Sequence, residues 1–186
     1  MIPLRLAAAL LLLSIVNAAS AADSTDVIRK REDACIEQMN ERTATLVAQD
    51  WPELERLADR YVKTCRGIFG AENYSYAYEQ IAVANNHLGN AQKALSASDK
   101  CISTFYSNSG CHVQRVQALI KLNRLPDAKS ELDKSDRLIK HAIELSRRDL
   151  KGVRTASERE LVDSRLNNFD AQQSHASAMR ERYFPE

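Results

Sequence analysis

Interruptions, more than any motif, limit what this chain can fold into. Long runs rich in Ala, Leu, Glu, Gln, Lys and Arg are broken at Asp50-Trp51-Pro52-Glu53, at Gly67 and Gly70, and at Gly89. Further breaks fall at Ser107-Asn108-Ser109-Gly110, at Asn123-Arg124-Leu125-Pro126-Asp127 and at Gly152. Those run-forming residues are good helix formers, and strand-like alternation of β-branched residues is scarce. The spacing therefore predicts an all-α chain. Helices are expected over about 25–49, from Pro52 to about 65, and over about 74–88, 91–105 and 111–122. A sixth runs from the Pro126 region to about 149, and a last one covers about 157–182. Ile36, Met39, Leu46 and Val47 line the apolar side of the first helix; Leu54, Leu57, Ala58 and Tyr61 line that of the second. Asp50 is placed to cap the second helix, with Pro52 in its first turn and Glu53 closing a capping box. Gly89 is a C-terminal glycine, and Ser157 to Glu160 reads as a capping box opening the last helix.

The N-terminus carries a separate signal. Arg5 precedes an apolar run through Val16, and the small residues Ala18-Ala19-Ser20-Ala21-Ala22 follow, just before Asp23. A charge, a short apolar run and an A-x-A-like site in that order are the layout of a secretory signal peptide. The run is shorter than the roughly 20 residues that span a bilayer. This predicts a signal peptide over 1–22 and a periplasmic or secreted mature protein. No cysteine follows the run, which argues against a lipid anchor. No second long apolar stretch follows either, which predicts a soluble chain without stable membrane insertion. Cleavage removes one Arg and no acid, taking the formal charge from +1 to zero. A neutral chain lacks the basic footprint of a nucleic-acid binder. Its C-terminal third alternates Lys/Arg with Asp/Glu, as solvated helix faces do. The mature length, about 164 residues, suits one domain with its own core.

Internal period narrows the architecture. Leu88-Gly89 with Ala94 downstream is matched by Leu122-Asn123 with Ala128 downstream, an offset of 34 residues. A fixed period of this size marks stacked repeats. Tyr78, Ile81 and Ala82 precede the first of these turns at helical spacing, and Ala94, Leu95, Cys101 and Ile102 follow it. On these residues the chain resembles the tetratricopeptide-repeat (TPR) family: paired antiparallel helices with a bulky residue early, a small residue mid-helix and an alanine opening the second helix's packing face. Residues 75–108 match best. Residues 109–142 keep Leu119, Leu122, Ala128 and Ser135, but Arg115 stands at an apolar position and His112 replaces the bulky aromatic. Residues 35–69 fit with six extra residues in the 66–74 loop. Asn85 and Ser98 depart from the family's usual aromatics.

The resemblance implies a short TPR-like superhelix of antiparallel hairpins over 23–150, closed by a long C-terminal capping helix over 151–186. It also implies a concave surface lined by the first helix of each pair, here Met39, Thr43, Leu46, Tyr76, Glu79, Val83, Asn86, His87, Val113, Gln117, Ile120 and Lys121. That mixture is aromatic, aliphatic and polar, with little net charge, and the basic clamp some family members use for a peptide carboxylate is missing. Such a groove suits an extended or helical peptide. By repeat position Tyr78 belongs to the core and Tyr76 faces the groove, whereas Trp51 is a packing anchor at the hairpin turn. The last helix carries Val162, Leu166, Phe169, Ala176 and Tyr183 on one face. It is expected to fold back on the sixth near Leu138, Ile139 and Leu145, turning at Gly152.

The four cysteines, Cys35, Cys65, Cys101 and Cys111, are an even set in an exported chain, which suggests two disulfides. Cys35 and Cys65 each lie about 15 residues from the Gln49-Asp50 turn, hence level, about 22 Å from it, on an antiparallel pair. Cys101 and Cys111 flank Tyr106 symmetrically. Cys35–Cys65 with Cys101–Cys111 is the pairing this geometry favours. There is no CxxC pair, and His87, His112, His141 and His175 are scattered, so no metal site is expected.

No G-x-S-x-G, HExxH, GxxxxGK or GxGxxG run is present. No acid stands isolated in an apolar setting that would tune its pKa, and no cofactor is implied. The expected function is that of a non-enzymatic adaptor of the cell envelope that binds a protein or peptide segment in its groove, with no nucleic-acid partner. Two alternatives stand beside it: an envelope enzyme or small-molecule carrier, and a self-assembling structural protein whose groove its own C-terminal helix fills.

Overall fold

The computed structural model describes residues 4–185, with side chains from Thr25 onward. The expected leader and its cleavage site lie outside the described side chains. Among the described residues the chain is all-helical, without strands. Its helices are α1 (Leu4–Ala48), α2 (Trp51–Thr64), α3 (Ala71–His87), α4 (Ala91–Thr104), α5 (Ser109–Lys121), α6 (Leu125–Gly152) and α7 (Ala156–Tyr183). No helix of the described residues is long and apolar enough to cross a membrane. Helices joined by short turns pack on one another, and α3 also packs on α5.

The three turns that join α1 to α2, α3 to α4 and α5 to α6 share one backbone pattern. Asp50 N–H donates to Thr45 O (3.2 Å), Asn90 N–H to Asn85 O (2.8 Å) and Arg124 N–H to Leu119 O (2.9 Å). In each, the residue before that donor is left-handed: Gln49 at φ 57°, Gly89 at 80° and Asn123 at 57°. Only Gly adopts that region without cost, and Asn does so more readily than most others. Gln49 is the unexpected member. The second helices of the pairs then bury the same stripe: Leu54, Leu57, Ala58 and Tyr61 in α2, Ala94, Ala97, Ser98 and Cys101 in α4, and Ala128, Glu131, Leu132 and Ser135 in α6. Ala94 and Ala128 are fully buried, as a small residue at a helix crossing must be.

The six extra residues of the first unit are not all loop. The α2–α3 linker, 65–70, is two residues longer than the α4–α5 linker, 105–108. The other four form an additional turn at the start of α3, which has 17 residues against 13 in α5. Tyr74, in that added turn, is buried and donates its hydroxyl to Cys65 O.

Both cysteine pairs are joined as the level argument requires. Cys35–Cys65 has a Cα–Cα distance of 5.7 Å and Cys101–Cys111 one of 5.9 Å. The first staples α1 to α2 beside Tyr61 and Ala77. The second closes the α4–α5 turn.

The last helix folds back along α6. Ile139 and Ile143 of α6 share a core with Ala176 and Met179 of α7, with Leu166, Phe169 and Phe184 packed against it. Arg180 spans Asp133 (2.8 Å) and Asp136 (2.5 Å). Two expectations need correction here. Leu145 does not pack in this seam; it is 43% exposed, and Ile143 takes the core position two residues earlier. The cap of α7 is not Ser157: Thr155 accepts from Glu158 N–H (3.1 Å), and Glu158 accepts from Thr155 N–H (3.0 Å), two residues before the expected box. Asp50 caps α2 as expected, accepting from Glu53 N–H.

Candidate binding cavity and the charged core

A cavity of about 330 Å³ lies between α1, α3 and α7. Met39, Thr43 and Leu46 line it from α1, spaced three to four residues apart on one face. Tyr76, Glu79 and Val83 do so from α3, and Asn168 closes it from α7. Six of the twelve groove residues expected from repeat position thus converge on one site. Tyr76 is 45% exposed, with its hydroxyl 3.3 Å from Glu72. Burial, helped by the charges of Glu72 and Glu79, pushes that phenol up to about 12, so it stays a hydrogen-bond donor throughout the neutral range. Glu79 turns its carboxylate to Asn108 Nδ2 (3.0 Å), against Gly110 in the first turn of α5. Burial raises its pKa, with the Asn108 hydrogen bond acting the other way.

The other six expected groove residues are placed differently. Val113 is in the core and Asn86 is 1% exposed, its amide donating to the backbone and side-chain oxygens of Gln114 (both 3.0 Å). His87 stacks flat on Trp51, ring centroids 3.9 Å apart and planes 4° from parallel; Trp51 is thus the packing anchor expected of it. Burial lowers the His87 pKa, with Lys121 and His175 adding to the effect. Gln117, Ile120 and Lys121 line a second hollow of about 250 Å³ with His175, Met179, Arg182 and Tyr183 of α7. Gln117 bonds His175, and Lys121 donates to Asn86 O.

Sequence reading missed Arg42, Gln80, Asn73 and Asn168, which also line the first cavity. Arg42 is 3% exposed. Its guanidinium sits 4.1 Å above the Tyr61 ring and donates to Gln80 Oε1 (2.5 Å). Burial lowers its pKa, with Tyr61 acting the other way.

The expectation that no acid has its pKa tuned by a buried setting is corrected at Glu131. Glu131, 2% exposed, meets His112 Nδ1 (2.5 Å), Arg115 (2.7 Å) and Lys134 (3.1 Å). Burial pushes its carboxyl up. The hydrogen bonds from His112 and Lys134 and the Arg115 charge outweigh that and hold it down at about 2. His112 Nε2 faces Tyr106 O (2.9 Å), so both ring nitrogens meet oxygen acceptors. His112 and Arg115 of α5, which depart from the expected repeat pattern, both face Glu131 of α6.

Among the described residues no cluster of three or more His, Cys, Asp or Glu is placed to hold a metal ion. No protein-family model matches this chain, and no curated protein matches it significantly.

Proposed function

We propose that this chain is an exported, TPR-like interaction module that binds a peptide or protein segment in the cavity between α1, α3 and α7, and that it is not an enzyme. The observation that carries the reading is the convergence of Met39, Thr43, Leu46, Tyr76, Glu79 and Val83, chosen on repeat position alone, around one cavity. Its lining mixes apolar and hydrogen-bonding groups, as a surface for a mixed-polarity segment should. The shared turn pattern of the three hairpins supports the TPR-like part of the reading. The two disulfides support export, since such bonds persist in oxidising compartments. The α7 helix adds a wall to the site through Asn168, so the cap also shapes the cavity.

The test is capture from an envelope extract by the mature protein and by Tyr76→Ala and Val83→Arg variants. One stoichiometric protein should be retained by the parent and lost by both variants, with helical circular dichroism and melting temperature unchanged. Retention by both variants, or capture of nothing, overturns the reading.

A further inference from the structure

Arg42 occupies a position whose counterparts in the other two hairpins are core. Counting back from the left-handed turn residue, Arg42 in α1 corresponds to Ala82 in α3 and Val116 in α5, both fully buried. The fold therefore accepts an apolar side chain there, and a guanidinium brings a desolvation cost that a pure packing role does not need. Buried charges are ordinarily paired, and Glu131, the buried acid among the described residues, has Arg115 and Lys134 beside it. Arg42 is different. Its hydrogen-bond partner is the neutral Gln80, its ring partner is Tyr61, and its Nε has no partner among the described residues. Glu79, the acid that shares the cavity, is committed to Asn108. The guanidinium is thus a nearly buried cation, without a carboxylate, in the lining of a cavity flanked by Met39, Leu46, Tyr76 and Val83.

We propose that Arg42 is the anchor for a carboxylate of the bound segment, so that the partner offers an acidic residue flanked by apolar ones. The inference rests on the interaction reading above and names the chemistry of its ligand. A planar guanidinium held on an aromatic face presents fixed donors to an incoming carboxylate. A bound segment that covers Arg42 takes the pair out of water and strengthens it. The apolar rim takes the neighbouring side chains. The missing counter-charge then arrives with the partner.

The test uses the full mature chain and two capped tripeptides, acetyl-Leu-Glu-Leu-amide and acetyl-Leu-Gln-Leu-amide, titrated by NMR. The acidic peptide is expected to bind at least tenfold more tightly, shifting the Tyr76 and Val83 resonances. In Arg42→Met the preference should vanish while the melting temperature holds or rises, since an apolar side chain suits the site. Equal affinity for both peptides, no binding of either at millimolar concentration, or a preference that survives in Arg42→Met overturns the proposal. Capture from envelope extract separates the two levels. A partner lost by Val83→Arg but fully retained by Arg42→Met sinks the carboxylate anchor and leaves the groove standing. A partner indifferent to both variants sinks the groove itself.

Discussion

Replacing Cys35 and Cys65 together by alanine should cost more stability than replacing Cys101 and Cys111. The reason is loop length. The first bond joins residues 30 apart and the second residues 10 apart. Closing a loop removes conformational entropy from the unfolded chain in proportion to the logarithm of its length, which gives about 3.6 kcal/mol for the first bond and about 2.7 kcal/mol for the second. Each sulfur sits where an alanine fits, since all four cysteines are buried in the folded chain. For a domain of this size the first loss lowers the melting temperature by roughly 7–14 °C. Urea unfolding of the two double variants beside the oxidised parent measures both losses, and non-reducing peptide mapping confirms the remaining bond in each. A loss under about 1 kcal/mol for the Cys35/Cys65 pair, or a reversed ranking, would refute the reasoning. So would a Cys65–Cys101 peptide in the parent.

Three further outcomes follow from the packing and the charges. Glu131 has its pKa held at about 2 in the folded chain, so its contribution is complete above the ordinary carboxylate range and fades as the pH falls towards 2. Glu131→Gln should therefore flatten the acid limb of the stability profile and lower stability at neutral pH, less than a buried unpaired charge would because Arg115 keeps Asp99 and Lys134 is exposed; an unchanged acid limb contradicts this. Truncation after Lys151 removes the buried Val162, Ala176 and Met179 of α7, with a loss of roughly 3–6 kcal/mol from the two larger side chains and a tendency to aggregate. Unchanged melting and solubility would show that α7 is no cap. Gly110→Ala should make the Glu79 carboxylate swing aside and give up its hydrogen bond to Asn108, a loss of no more than about 1 kcal/mol that should vanish in a Glu79→Ala background; equal losses in both backgrounds refute the contact.

The parts of the fold legible in the sequence were those set by local chemistry. Gly89, Asn123 and the Asp50-Trp51-Pro52 run announced the three hairpin turns, and helix rise alone paired the cysteines. The Met39–Thr43–Leu46 and Tyr76–Glu79–Val83 faces followed from helical spacing. What escaped were residues whose partners come from distant helices. Gln172 and His175 carry no apolar signal, yet they meet Ser109 and Gln117 of α5. Nothing local marks Glu131, because His112 and Arg115, which hold it with Lys134, lie on the neighbouring helix. Arg42 could have been found: aligned by the turn residues, it is the charged member of a set whose other members are Ala82 and Val116. Gln49 hid the alignment, since nothing in a glutamine announces a left-handed backbone.

The central claim is that the cavity between α1, α3 and α7 receives a segment of another protein. Photocrosslinking in the native compartment tests it most directly, with a photoreactive amino acid at Val83, inside the cavity, or at Lys129, exposed on α6 outside it. The Val83 probe should give one discrete adduct with a single protein, diminished by Tyr76→Ala, while the Lys129 probe gives none. No adduct from Val83, or the same adducts from both positions, would contradict the account.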